Sequence, residues 1–432
     1  MPGRFLTPIE RATEVMTQHQ GTLNIVTIAH LRGNLDRLRL HKALTAVQAQ
    51  HPHLQARIAK GLGCYCLRYQ EAASVPLGMI PLSEDAIAEN QLKVAIDTEL
   101  NTPIASESCL MRCVLLWSQP PGSLHYLLVT LHHAIADGIS ALYLQQAILT
   151  AYAQGQTATS SPTPVSPAKL YSAADCLPSS LRGLGGLLQT LNHLPHLQAQ
   201  IWQHSDRFPI DRWAPLPERR CGWLKKTLAP VQTQTLVQRS RQEKTTVQGV
   251  LCAALLQAMA QQCLNAKTTR LKVGCGSFVD LRSRGEPRQV PKSLGMFAGC
   301  VPSFHELTAR SDFWEIARDV NCQLHQGLTQ QAMFKTLGLS GWLIEQGLHQ
   351  LDRVNFPLNV TNVGRVELPS HYGELELEEI SFLPANSIFG RSISIAVTTY
   401  RDRMALYFVA SVPSRQSTSL EQFAQQVMHC LQ

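Results

Sequence analysis

The sequence predicts an α/β protein built as two similar halves, each a sheet backed by helices. Three observations predict it. Short apolar runs that suit strands recur beside patterns of helical period. They do so on both sides of a Ser-, Thr- and Pro-rich stretch, "GQTATSSPTPVSPAK" at 155–169, which reads as a linker. The chain's 432 residues are 44% hydrophobic and only 16% charged, enough apolar material for a substantial core in one large domain or two ordinary ones.

In chain order, "TLNIVTIAHLRG" (22–33) reads as a strand. The following "LDRLRLHKALTAVQAQHPHL" places Leu35, Leu38, Leu40, Ala43, Leu44 and Val47 on one helical face, and His51-Pro52 ends that helix. "CLMRCVLLWSQ" (109–119) and "SLHYLLVTLHH" (123–133) read as two strands joined by a "PPG" turn, with a helix following from 138 to 153. Beyond the linker, "LRGLGGLLQTLNHLPHLQAQIW" (181–202) reads as helical in part. It suits an inter-domain helix packed on the core or a segment lying on a membrane.

From Cys221 the pattern restarts with the strand "GWLKKTLAP", then two helices, the second capped by Thr245 or Thr246. "RLKVGCGSFVDLR" and "FPLNVTNVG" read as strands, and "ISIAVTTYRDRMALYFVASV" as a hairpin turned at Arg401-Asp402. The expected organisation is a domain over 1–170, a linker and connecting helix over 171–215, and a second domain over 216–432.

The net charge is +7 and the pI about 8.8, with Lys and Arg scattered and no run beyond pairs. Nucleic-acid binding calls for clustered basic stripes and is not expected. Arg391, Arg401 and Arg403 suit a docking patch for an acidic carrier or coenzyme A phosphates, or simply solvated surface charge. None of the twelve cysteines stands in a CxxC pair, so buried free thiols in a reducing cytoplasm are expected rather than a metal site. The first thirty residues lack a secretion signal, and no apolar stretch approaches the ~20 residues that span a bilayer. A cytoplasmic monomer is the expectation.

The chemistry concentrates in "HHAIADG", His132 to Gly138, between the second apolar strand and its helix. A loop held between two regular elements is a fixed platform for reactive groups. Histidine takes and returns protons near neutrality. Asp137 suits a helix cap or an arginine partner, and Gly138 allows close backbone approach or an unusual backbone angle.

This segment matches the HHxxxDG motif, and the chain resembles the condensation and acyltransferase superfamily. That group includes chloramphenicol acetyltransferase, plant BAHD acyltransferases, nonribosomal peptide condensation domains and phthiocerol dimycocerosyl transferases. The opening "LTPIERATEVM", "GSFVDLRSR" followed by "SLGMFAGCVP", and "NVTNVGRVELP" occur in the family's order. The last resembles the dimycocerosyl transferase and alcohol acyltransferase branch. Single-domain chloramphenicol acetyltransferases are about half this length.

The resemblance implies two chloramphenicol acetyltransferase-like domains, with mixed sheets backed by helices, forming a V-shaped pseudo-dimer with a tunnel. It implies His133 as general base and His132 as support. Asp137 would hold the loop by pairing with Arg282, for which Arg284 competes, and Gly138 belongs to the same structural set. Thr361 and Asn362 would contact the acceptor or the oxyanion.

The implied reaction is acyl transfer from acyl-CoA or a phosphopantetheinyl carrier, as co-substrate, to an alcohol in lipid or secondary-metabolite biosynthesis. No resident cofactor or metal is implied. The chain has no G-x-S-x-G nucleophile motif, which suits direct transfer. Two alternatives stand beside it: an amide-forming condensation enzyme fed by a separate acyl carrier protein, and a non-catalytic scaffold that keeps the fold.

Overall fold

The computed structural model describes residues 3–19, 21–61, 64–69, 72–83, 85–119, 122–155, 172–285, 293–335, 337 and 356–432. Most of the Ser/Thr/Pro-rich linker and two residues of the "PPG" turn lie outside the described residues. The chain divides into two compact units. The first comprises Met1–Ala173, Val290–Phe297 and Val366–Ala385; the second comprises Ala174–Gln289, Ala298–Arg365 and Asn386–Gln432. The division is therefore not a single cut near the linker: two later segments return to the first unit, and the helix expected to connect the domains belongs to the second.

In the first unit, β1 (Arg4–Phe5), β3 (Ala56–Lys60) and β4 (Tyr65–Tyr69) form a small sheet ordered β1-β4-β3. The main sheet contains β2 (Asn24–Gly33), β5 (Leu77–Pro81), β6 (Met111–Trp117) and β7 (Leu124–His132). It also takes β12 (His371–Tyr372) and β13 (Leu375–Pro384) from the returning segment, in the order β12-β13-β2-β7-β6-β5. All its pairs are antiparallel except β5 with β6.

Among the described residues this unit has the α-helices α1 (Pro8–Gln18), α2 (Arg37–Gln50), α3 (Asp85–Asn101) and α4 (Gly138–Gln154). The β7 strand is buried along nearly its whole length, which is why its sequence is a continuous apolar run rather than an alternating one. The α4 helix lies on β2, β7 and β13 and packs beside α2. Of the expected apolar face of α2, Leu40, Ala43, Leu44 and Val47 are buried, whereas Leu38 in the first turn is 65% exposed and Leu35 precedes the helix.

The second unit contains α5 (Gly183–Gln203), β8 (Arg220–Leu228), α6 (Pro230–Gln242), α7 (Val247–Cys263), β9 (Leu271–Asp280) and β10 (Ala298–Leu307). It is completed by α8 (Phe313–Thr329), β11 (Leu358–Arg365), β14 (Ile393–Tyr400), β15 (Arg403–Val412) and α9 (Ser417–Leu431). Its sheet runs β10-β9-β11-β14-β15-β8, with β11 parallel to both neighbours and the remaining pairs antiparallel.

The core of this unit is α7, buried on nearly every face between the sheet and α8 and α9. Thr246 caps α7 by accepting the Gly249 N–H. The β14–β15 hairpin turns at Arg401 and Asp402, with φ of 48° and 62°, the left-handed pair that a two-residue hairpin turn requires.

The α5 helix departs from the reading of a helix packed on the core. Only Gly186 is buried, while Leu184 and Trp202 are 81% and 79% exposed and Leu187, Leu188 and Leu191 are also exposed. Gly186 sits so close to Leu181 that a Cβ there would lie 1.9 Å from the Leu181 carbonyl oxygen, and further along the helix Leu194, Leu197 and Ile201 are half-buried. Among the described residues no helix is long and apolar enough to cross a membrane.

Candidate active site at the His-His turn

The His-His turn begins where β7 ends. His132 is the last β7 residue, paired in register with Asn24, and its N–H donates to the Leu110 carbonyl at 3.0 Å. The Ile135 N–H then returns to the His132 carbonyl at 3.0 Å, so the chain reverses sharply within HHAIADG. Ala136 forms an isolated parallel bridge with Gly295 of the same unit.

His133 is partly exposed. Its Nδ1 lies 2.8 Å from the Ala136 carbonyl oxygen. A carbonyl oxygen only accepts, so Nδ1 carries the proton and Nε2 carries the lone pair. Burial pushes the His133 imidazole below the ordinary histidine value; the Ala136 hydrogen bond and the Asp137 charge oppose that shift but do not cancel it. The result is a neutral imidazole with a fixed ring and a defined basic nitrogen.

Asp137 caps α4. One carboxylate oxygen accepts the Ser140 N–H at 2.8 Å, and Ser140 Oγ in turn accepts the Asp137 N–H at 2.9 Å, closing a reciprocal capping box. The second carboxylate oxygen accepts the Phe297 N–H at 2.8 Å, and Ser140 Oγ donates to the Gly295 carbonyl at 3.1 Å. Asp137 thus ties the helix start to residues 295–297 as well as capping it. Gly138 is explained by space: a Cβ there would lie 2.6 Å from the Phe382 ring on β13. No unusual backbone angle is required.

His132 is buried and faces Glu14 of α1, with His132 Nε2 and Glu14 Oε2 3.1 Å apart. Its Nδ1 accepts the Ala134 N–H at 3.2 Å. The position of Glu14 in "LTPIERATEVM" does not mark it out. The available signal was a second carboxylate, four residues after Glu10, on a helix whose neighbouring positions are buried. Nothing local points to a partner 118 residues away.

The other expected residues belong to the second unit. Arg282 is buried and donates from Nη1 to Asp280 at 2.9 Å, while Arg284 reaches the Asp280 carbonyl at 3.4 Å. Thr361 and Asn362 lie on the central strand β11, both partly exposed. Asn362 Oδ1 accepts the Gly364 N–H at 2.9 Å, leaving the amide NH2 as its donor group; Gly364 has φ of 73°, a left-handed position that suits glycine.

Comparison with known proteins matches residues 6–174 to the Condensation domain family model and residues 220–417 to the model of the phthiocerol/phthiodiolone dimycocerosyl transferase C-terminus. The hybrid PKS-NRPS synthetase poxE of Penicillium oxalicum is 28% identical over 130 residues, a match that spans 28% of this chain and 3% of the synthetase.

Among solved structures, TRI3 trichothecene 15-O-acetyltransferase from Fusarium sporotrichioides aligns with a TM-score of 0.79 at 13% identity, covering 99% of this chain and 95% of that one. Polyketide synthase associated protein 5 from Mycobacterium tuberculosis gives 0.69 at 17% identity, covering 100% and 99%. The first condensation domain of the calcium-dependent antibiotic synthetase gives 0.71 at 15% identity, covering 100% and 95%. At these identities the structural likeness speaks to the fold.

Proposed function

For a chain that belongs to the condensation and acyltransferase superfamily, we propose acyl transfer from a thioester to a hydroxyl acceptor, with His133 as general base. The single observation that carries the base assignment is the 2.8 Å contact from His133 Nδ1 to the Ala136 carbonyl, which leaves Nε2 as the lone-pair nitrogen. A donor on coenzyme A or on a carrier's phosphopantetheine arm suits the absence of a nucleophile motif in the sequence.

In this reading His133 Nε2 takes the acceptor's hydroxyl proton as the oxygen attacks the thioester carbonyl. The carbonyl π electrons move to oxygen, and that oxyanion takes a hydrogen-bond donor, the role the family resemblance implies for Thr361 and Asn362. The tetrahedral intermediate then reforms the C=O bond and breaks the C–S bond. The thiolate leaves and recovers the proton from His133, so the base is returned neutral. Asp137 acts on the loop rather than on substrate, through the Ser140 and Phe297 hydrogen bonds.

Amide formation is a second reading, favoured by the Condensation model that covers the His-His turn. One experiment separates the readings. Purified protein is given labelled acyl-CoA and acyl-carrier donors, with alcohols and amines as acceptors, and products are identified by mass spectrometry for wild type and His133→Ala. An ester formed by wild type and reduced at least about 100-fold in the variant supports the proposal. An amide in its place supports condensation. No transfer from either donor class supports a scaffold.

A further inference from the structure

The paired histidines carry their protons on opposite nitrogens. His133 donates from Nδ1 to the Ala136 carbonyl. His132 accepts the Ala134 N–H at its Nδ1, so that nitrogen holds a lone pair and the hydrogen of the neutral ring is on Nε2. That nitrogen lies 3.1 Å from Glu14 Oε2, and both side chains are 1% exposed. The approach falls outside the geometry of a good hydrogen bond, yet neither atom has another partner among the described residues.

The other Glu14 oxygen is fully engaged. Oε1 accepts from Ser106 Oγ and from Gln18 Nε2, each at 2.8 Å. Two donors therefore hold the carboxylate in one orientation, with Oε2 turned to His132. Burial pushes the Glu14 carboxyl up, but the contacts with His132, Gln18 and Ser106 outweigh burial and hold it below the ordinary glutamate value. Its anionic form is an acceptor only, which suits an N–H on His132 Nε2 and no other arrangement of the neutral ring.

We infer that Glu14 is a positioning residue for the His-His turn: its carboxylate holds His132 in the Nε2–H tautomer, and that tautomer accepts the Ala134 N–H within the turn that presents the Ala136 carbonyl to His133. Glu14 touches neither His133 nor any reacting atom in this scheme. It acts through one imidazole and three residues of backbone. The kinetic part of this inference rests on the acyl-transfer reading; the tautomer part stands without it.

A glutamine at position 14 separates shape from charge. Ser106 and Gln18 would still donate to its Oε1, so its NH2 group would face His132 Nε2. Two N–H groups would then oppose each other, and the His132 proton would move to Nδ1. There it would oppose the Ala134 N–H, loosening the turn.

The test is 15N NMR of imidazole-labelled wild type, Glu14→Gln and Glu14→Asp, with steady-state kinetics on the same preparations. We expect His132 to show the Nε2–H signature in wild type and E14D and the Nδ1–H signature in E14Q. E14Q should lose about 100-fold in kcat at unchanged KM, the scale expected when a catalytic group is misplaced by a remote change, and E14D should recover most of it. Retention of the Nε2–H form in E14Q, or equal losses in E14D and E14Q, overturns the inference.

If E14Q does not fold, the double variant E14Q/His132→Asn decides. Asparagine accepts the Ala134 N–H through its Oδ1 and has no tautomer to invert, so the double variant should fold; failure to fold assigns Glu14 to packing alone. Absence of acyl transfer in wild type counts against the proposed function, while the NMR comparison still reports on Glu14.

Discussion

His133 Nδ1 stands 2.8 Å from the carbonyl oxygen of Ala136, three residues further along the same turn. The contact is made entirely within the HHAIADG segment. It selects which ring nitrogen is basic, and it holds the imidazole plane against the backbone of the turn. A histidine in a flexible loop would sample both tautomers and many ring orientations; this one is ordered before any substrate arrives.

The pH dependence follows from that environment. The proposed base, His133, would work only when neutral, and burial places its titration below the ordinary value of about 6.5. The rate should therefore be on a plateau at pH 7 and fall only under more acid conditions, as the imidazole becomes protonated. A kcat/KM profile with its acid limb centred above pH 6.5 would contradict the assignment.

Gly138 is sensitive to added volume. Alanine there would drive a methyl group into the Phe382 ring, at 2.6 Å in the present packing. Gly138→Ala should destabilise the protein by about 1–3 kcal/mol, read as a lower denaturant midpoint at constant slope. Combining it with Phe382→Leu should recover part of that loss. A strictly additive double variant would mean that the ring is not the obstacle.

Asp137 uses both carboxylate oxygens, one on the Ser140 N–H and one on the Phe297 N–H. Asparagine keeps one acceptor and turns an NH2 group on the other donor. Asp137→Asn should thus cost about as much as Asp137→Ala, on the order of 2 kcal/mol. Thermal unfolding of the two variants side by side checks this; a near-wild-type asparagine variant would show that helix capping alone accounts for the residue.

His53 supplies an acid-sensitive site away from the turn. Burial, with smaller contributions from the Arg4 and His51 charges, lowers its value to about 3. The unfolded chain would protonate it near 6.5. Between those values the unfolded state binds the extra proton, so stability is retained above about pH 6.5 and falls as pH drops toward 3. The loss should reach on the order of 3 kcal/mol by pH 4. His53→Leu should flatten the unfolding midpoint over that range, since His53 Nε2 has no hydrogen-bonding partner among the described residues.

The His-His turn was legible in the sequence because its determinants are local. A continuous apolar strand ends at two histidines, an aspartate caps the next helix, and the spacing puts the Ala136 carbonyl within reach of His133. The α2 face, the capping threonine of α7 and the Arg401-Asp402 hairpin were legible for the same reason: each is set by periodicity, cap chemistry or turn geometry over a few residues. The place of the candidate segment and the character of its flanking elements were thus determined by the sequence alone.

Other features depend on partners far along the chain, and only the tertiary structure decided them. The β13 strand leaves the second half to pair with β2, bringing Phe382 against Gly138 across 244 residues. Glu14 meets His132 only because α1 packs near the end of β7. The α5 helix carries an apolar pattern that suits a packed helix, yet Leu184, Leu187, Leu188 and Leu191 are exposed. Local patterns specify what an element can bury or donate, whereas long-range strand pairing and close packing determine which of those groups meet.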